Sequence, residues 1–460
     1  MREESGGLTR RLAETLAAVG YGDLPREAIA ETLRAALDWL GSALAGSVEA
    51  PARLAQRVVA GLGESREATV FSAGRSSAAG AALGNGVASH ILELDDLHHA
   101  STLHPAAPII PAALAVAERE HADGRAFLTA VAVGYEAALR IGEAVNPSHY
   151  RFWHPTGTAA TFGGATAAAS LMKLDAARML DALGTAGTQA DGLREFNADG
   201  AMSKHLHAGK AAFNGVLAAD LARAGFTGAT RILEGDRGFF RATSTAYDAT
   251  RITEGLGERW KILENSYKLH ACCGHTHTAI DAALDLRGER AWGGAEAVES
   301  IRIATYGPGF EIVKEPNPRS SYQAKFSIAY VVATALLEGR AGLEQFAAER
   351  FGPEGVRDAA TAGLLARTRT AVADDLTAQY PAAWPARLVV ILRDGTELRG
   401  GGDYPRGHPK NAVSTAELEE KFLALVAPRF GADTAHRARD AVKSLETCED
   451  MCRVFCDLLP

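Results

Sequence analysis

Runs of basic residues are missing from this sequence. Lys and Arg number 48 against 56 Asp and Glu, a formal net charge of −8, and a chain without a cationic patch has little with which to hold a phosphate backbone. No nucleic-acid partner is expected. Long apolar runs are also missing: the most hydrophobic stretches, 105–117 and 326–337, fall short of the roughly 18 residues that cross a bilayer, so no membrane partner is expected. The opening residues, MREESGGLTRRLAETL, mix charges of both signs and lack the apolar core of a secretory signal, which predicts a cytoplasmic protein. Cysteine is scarce and odd in number, five in 460 residues, which excludes a disulfide framework and fits a reducing compartment. The CxxC spacing of thiolate metal sites is absent. Cys448, Cys452 and Cys456 recur every four residues, a spacing that predicts one side of a helix with the thiols packed as small apolar groups. Cys272 and Cys273 are adjacent and poorly placed to share one ion. A GxSxG elbow with triad partners and a complete GxGxxG after a strand are both lacking, and Gly209-Lys210 has neither the upstream glycine nor the following hydroxyl of a phosphate loop. Serine-hydrolase, nicotinamide and nucleotide chemistry therefore have no support.

What is present is the composition of a folded globular chain, 47% hydrophobic and 23% charged, long enough for two or three domains. Up to about residue 245 the chain is rich in Ala, Leu and Gly with apolar residues at helical spacing. Helices are predicted near 9–19, 51–61, 76–93, 108–121, 125–144, 156–171, 176–190 and 207–224. Another carries Ile29, Leu33, Leu37, Leu40 and Leu44 on one stripe, with Asp23 as its N-cap and Pro25 in its first turn. The small residues permit close approach of helix axes, so a tightly packed bundle is expected. After about residue 265 the pattern changes. Residues 299–305 alternate, and 387–393, Asp394-Gly395 and 396–399 read as a hairpin. With helical patterns at 276–287, 325–338, 342–349 and 355–367, this smaller region is α+β. Beyond the turn-rich 404–409 the chain is helical again over 414–457 and is expected to rejoin the first region. The fold class is therefore mainly α: a large all-helical domain built from both chain ends (1–266 and 409–460) and a smaller α+β domain (267–408).

Ionisable side chains gather in four places. HILELDDLHHASTLHPAAP, residues 90–108, holds Glu93, Asp95, Asp96, His98, His99 and His104 between two apolar helices, a density that suits a polar cleft wall of proton donors and acceptors. His154 stands just ahead of an Ala/Gly-rich helix whose free amides favour an anion such as a substrate carboxylate. MSKHLHAGK, residues 202–210, sets Lys204 and Lys210 beside two histidines, where a desolvated lysine binds carboxylate or exchanges a proton. KLHACCGHTHTAID, residues 268–281, brings His270, His275 and His277 to the point where the composition changes, and Tyr306 closes the following strand. Each of these residues also has a plain structural reading, as a helix cap or a packed imidazole.

Taken together and in order, these blocks resemble the MmgE/PrpD family, which includes 2-methylcitrate dehydratase, cis-aconitate decarboxylase and iminodisuccinate epimerase. The resemblance runs over nearly the whole chain. It rests on DWLGSALA (38–45), the stretch 84–108 with its acidic pair and histidine-proline, HPTGT (154–158), MSKHLHAG (202–209), 274–281, 325–331 and the link before Lys421-Phe422. It implies a homodimer whose subunits each have a large helical domain and a smaller α+β lid, with the site between them and neither metal nor organic cofactor. Carried over residue by residue, His104, Lys204 and His277 match the family's catalytic positions, with Asp95 and Tyr306 beside them, while Glu93, Asp96, His154 and His275 are assigned to substrate binding. Glu93 falls where the decarboxylases have aspartate and Leu97 where they have threonine. The implied chemistry is a carbanion or enediolate beside a carboxylate of a small di- or tricarboxylate, which needs cations and a base nearby; either His104 or His277 fills the base role. The first reading is a hydro-lyase of the 2-methylcitrate type. The alternatives are an epimerase of an iminodisuccinate-like dicarboxylate, a cis-aconitate-type decarboxylase, and a non-catalytic carboxylate-binding module.

Overall fold

The structure, a computed structural model, describes residues 7–289 and 293–456. The chain is mainly α and divides into two compact units: 1–91, 95–265 and 414–460 form one, and 92–94 with 266–413 form the other. Among the described residues no helix is long and apolar enough to cross a membrane.

The first unit is a helix bundle. Its framework is Arg26–Ser47, Ala78–Ser89, Ala106–Arg119, Gly124–Val145, Ala159–Leu171, Ala176–Gly187 and Ser203–Arg223. Several are apolar on all sides, which is why they lie inside the bundle rather than on its surface. Small residues set the spacing. A methyl group at Gly86 would lie 2.7 Å from the Cα of Gly209, so the helices Ala78–Ser89 and Ser203–Arg223 touch backbone to backbone. A side chain there would force them apart at a cost of about 1–3 kcal/mol. The C-terminal helix Thr415–Phe430 returns to the N-terminal Arg26–Ser47: Phe422 packs on Gly41 and Lys421 Nζ meets the buried Asp38 carboxylate at 2.6 Å. Both chain ends thus build one helical unit, as the sequence predicts.

The second unit centres on a four-stranded sheet in the order Thr368–Val372, Val298–Thr305, Ala386–Leu392, Glu397–Gly402. The first pair is parallel and the others antiparallel. The hairpin turn lies at Asp394-Gly395, where Gly395 takes φ +85° and the Asp394 carboxylate accepts from the Thr396 amide at 2.9 Å, a short-range closure legible in the sequence. Helices His277–Glu289 and Ile328–Glu338 belong to this unit.

Some local expectations fail. Asp23 is not the cap of the long helix: it sits in the 3-10 turn Tyr21–Asp23 and its carboxylate accepts from the Gly20 amide, while Pro25 occupies the cap position itself. The predicted helix 342–349 is two 3-10 turns, Leu343–Phe346 and Ala348–Arg350. The hairpin Ala68–Val70 with Gly74–Ser76 and the parallel strand Thr368–Val372 were not foreseen, since strands this short carry little period-2 signal. The cysteine stripe also fails. Cys448 follows a 3-10 turn and only Cys452–Cys456 is helical; Cys448 and Cys452 are half-buried, and the Cys456 side chain lies outside the described residues.

Candidate active site

In the helical unit the helix Ala78–Ser89 ends at His90 and the next helix begins after Pro105. The chain between them turns its polar side chains inward. Asp96 is fully buried. Its Oδ1 accepts from the Ala106 amide at 3.0 Å, capping a free N–H at that helix start, and its Oδ2 accepts from Tyr135 Oη at 2.7 Å and Asn265 Nδ2 at 2.9 Å. Burial pushes its carboxyl up to about 8, against the pull of the Tyr135 and Ala106 hydrogen bonds. With both oxygens engaged by three internal donors, Asp96 braces the loop, and the substrate-binding assignment made from sequence does not fit it.

The backbone oxygen of the same residue fixes His104. His104 Nδ1 lies 2.6 Å from Asp96 O. A carbonyl can only accept, so Nδ1 carries the proton and Nε2 of the neutral ring keeps a basic lone pair. The His104 amide donates to Thr156 Oγ1 at 3.1 Å, tying the histidine-proline element to the HPTGT block. Beside it, His90 Nδ1 donates to Asp95 Oδ2 at 2.6 Å, and Asp95 Oδ2 is 3.6 Å from His104 Nδ1.

Around this pair the bundle gathers further imidazoles. The His90 ring lies 4.9 Å from that of His104, 5.4 Å from that of His154 in a stack, and 6.3 Å from that of His205. His154 Nδ1 meets His207 Nδ1 at 3.2 Å. Lys204 is buried here, in the first turn of Ser203–Arg223. Burial holds His154 well below the ordinary imidazole range, with further push from the charges of His90, His207, Lys204 and His104; burial, His90 and Lys204 bring His207 down to about 4. Both rings are therefore neutral at neutral pH. A buried cluster of imidazoles with a lysine and an aspartate is suited to taking a proton from carbon and steadying the resulting negative charge.

His90, Asp95 and His104 lie close enough to one another to be weighed as metal ligands. The donor set does not fit. The two Nδ1 atoms point their protons at Asp95 Oδ2 and Asp96 O, both at 2.6 Å, and an ion at Asp95 would have to displace both. His98, Glu143 and Glu264 form another such group, already occupied by the Lys261 ammonium, 2.9 Å from Glu143 and 3.1 Å from Glu264.

The second unit holds the remaining predicted residues. His275 Nδ1 is 2.5 Å from Tyr306 Oη, the His275 ring stacks on Trp384 at 4.0 Å, and Tyr306 stacks on Tyr380 at 5.2 Å. His277 packs against His270 at 5.0 Å, and His270 Nε2 meets Asp281 Oδ1 at 2.9 Å. Glu93 takes the left-handed backbone region, φ +59°, and its carboxylate is 3.3 Å from Lys268 Nζ, while Lys325 Nζ donates to Leu92 O at 3.0 Å. The group that Glu93 faces is thus a cation. The predicted residues fall into two sets: His104, Asp95, Asp96, His154 and Lys204 in the helical unit, and Glu93, His275, His277 and Tyr306 in the other. Missing from the sequence assignment were His90, His207, Lys268 and Trp384. The only signal for His90 was its place at the end of an Ala/Gly helix five residues before Asp95.

The fold and the site define a two-unit protein of the kind the sequence blocks suggested. The family model for the MmgE/PrpD N-terminal domain matches residues 10–251 and that for the MmgE/PrpD C-terminal domain matches 270–447. The chain belongs to the MmgE/PrpD family. It is 28% identical to cis-aconitate decarboxylase of Homo sapiens over 98% of this chain and 94% of the human protein. It is 28% identical to cis-aconitate decarboxylase of Aspergillus terreus over 81% of this chain and 79% of that one. A shorter match, 30% identical over 34% of this chain and 33% of the other, is to 2-methylcitrate dehydratase of Cupriavidus necator. These relatives are named as decarboxylases and as a dehydratase.

Proposed function

We propose that the protein is a cofactor-independent lyase acting on a small di- or tricarboxylate, and that it is a hydro-lyase of the 2-methylcitrate type. The observation that supports this most is the tautomer of His104. With Nδ1 donating to the Asp96 carbonyl at 2.6 Å, the lone pair of the neutral ring lies on Nε2, and a reaction that begins with a base removing a proton α to a carboxylate uses that nitrogen. In this reading Lys204 holds a carboxylate and steadies the developing charge, and Asp95 orients the neighbouring imidazoles. Asp96 positions His104. His277 and Tyr306 serve proton delivery, with His275 holding the Tyr306 phenol. Lys268, paired with Glu93, binds a second carboxylate.

Decarboxylation is the second reading, supported by the names of the relatives that align over most of the chain. There the C–C bond to a carboxylate breaks, its electron pair stays on carbon, and a protonated imidazole supplies the proton. Leu97, where the resemblance places a threonine in decarboxylases, speaks for the first reading. The same proposal takes the protein to be a cytoplasmic homodimer, and sedimentation of the purified 48.3 kDa chain at twice its mass tests the assembly.

Proton NMR in deuterated water with 2-methylcitrate, citrate, cis-aconitate and iminodisuccinate separates these outcomes. Loss of water supports the hydro-lyase. Carbon dioxide release assigns the second reading, inversion with deuterium entry assigns an epimerase, and binding without turnover reduces the protein to a carboxylate-binding module.

A further inference from the structure

We propose that His207 and His154 form a two-imidazole proton relay between solvent and the imidazole cluster of the helical unit. The inference rests on reading that cluster as a proton-transfer site. A base enclosed among buried side chains is reset between turnovers only if protons can pass to and from it, and none of the assignments above provides a route to solvent.

Several observations converge on this pair. The two Nδ1 atoms are 3.2 Å apart, and two ring nitrogens hold such a contact only when one carries a proton and the other a lone pair. The pair therefore shares one proton and has two arrangements that differ in which ring owns it. Its ends lie in different surroundings. His154 is 4% exposed and its ring is 5.4 Å from His90 and 6.4 Å from His104. His207 is half-buried, and its neighbours Met202 and Leu206 are exposed. The seat is also built for this contact. A methyl group at Gly157 would come 2.8 Å from Asp191 O and 3.1 Å from His207 Cβ, so a side chain there would crowd both Asp191 and His207. Phe196 packs edge-on against both imidazoles, at 5.6 Å and 5.4 Å, which fixes their mutual geometry. Because both rings rest neutral, neither adds a standing charge beside Lys204.

With the shared proton starting on His207, an acid in solution forms a new N–H bond at His207 Nε2. The Nδ1–H bond of His207 breaks as that of His154 forms, and His154 then releases its Nε2 proton into the cluster while keeping the electron pair. One proton enters and one leaves, with no change of oxidation state, and both tautomers are inverted. Passage in the opposite sense restores them, which suits a reaction that takes a proton from carbon and returns one. His207 acts through His154 and touches no reacting atom.

The test uses His207→Gln, whose amide keeps a polar contact but passes no proton. In dilute buffer kcat falls about tenfold or more with KM nearly unchanged, and added imidazole restores kcat in proportion to its concentration, while the unsubstituted enzyme is insensitive to it. An unchanged kcat, or a loss that imidazole does not repair, overturns the relay. Gly157→Ala, which crowds His207 without removing it, is expected to give a smaller loss that imidazole also rescues. If the unsubstituted protein turns over none of the four carboxylates, the enzymatic reading fails by itself, and nitrogen-15 histidine NMR judges the relay. A proton shared between the two Nδ1 atoms and lost in His207→Gln supports it, and two rings each protonated only at Nε2 overturn it.

Discussion

The Nδ1 of His104 stands 2.6 Å from the backbone oxygen of Asp96, and that contact decides which nitrogen of the ring is basic. The carboxylate of Asp96 is held in turn by Tyr135, Asn265 and the Ala106 amide, so the orientation of the base is built into the packing of two helices and does not depend on substrate. His104→Gln removes the base and leaves the brace intact. Activity is expected to fall about 100-fold or more, with the melting temperature nearly unchanged. Steady-state kinetics beside a thermal scan check it, and a variant that keeps its activity removes His104 from the mechanism.

Lys204 is buried and its charge acts on His154 and His207. Lys204→Ala is expected to raise KM and to lower kcat/KM about 100-fold or more, the loss of a carboxylate contact together with charge stabilisation. The same substitution removes one of the charges that depress His207. An NMR titration should therefore show His207 moving up from about 4 toward the ordinary imidazole range. Unaltered kinetics contradict the role given to Lys204.

Tyr306→Phe keeps the stack on Tyr380 and loses only the hydroxyl that meets His275 at 2.5 Å. If the phenol delivers a proton, kcat falls about tenfold or more and the alkaline limb of the pH profile shifts, while KM and the melting temperature stay near their starting values. A fall in melting temperature with kcat unchanged assigns the residue to packing alone.

His149 gives the protein an acid-side weakness. It is fully buried, with Nδ1 donating to Thr243 O at 3.2 Å and Nε2 accepting from Thr158 Oγ1 at 2.8 Å. Burial depresses the ring from 6.5 to about 4. The folded value lies below the unfolded one, so the unfolded chain binds the proton first as pH falls. Its contribution is complete above about 6.5, declines through the window down to about 4, and amounts to roughly 3 kcal/mol over that range. His207 acts in the same direction. Denaturation midpoints measured from pH 7 to pH 4 should fall, and His149→Gln should flatten the fall; a midpoint independent of pH across that window contradicts the assignment.

How far the sequence speaks depends on the range of the interaction. Helix periodicity and the Asp394-Gly395 turn are local; the turn and the long helices of the bundle appear where the residues put them, and the short 342–349 pattern does not. His104, Lys204 and His154 were legible as candidates because each stands in a short polar block between apolar helices. Their tautomers and pairings were not. Asp96 reads as a substrate-binding acid of a polar cleft wall until Tyr135 and Asn265, 39 and 169 residues away along the chain, close on its carboxylate. His207 acquires meaning only when Gly157 lets its ring approach His154. The hairpin 68–76 escaped because strands of three residues are stabilised by their neighbours and show no periodicity of their own.

The most direct test of the central claim is the rate at which deuterium from solvent enters the carbon α to a carboxylate of 2-methylcitrate, compared between the unsubstituted protein and His104→Gln. Exchange accompanying water loss in the first, and a rate lower by about 100-fold or more in the second, is the predicted result. Equal rates in the two proteins, or water loss that persists when His104 is gone, would contradict the account.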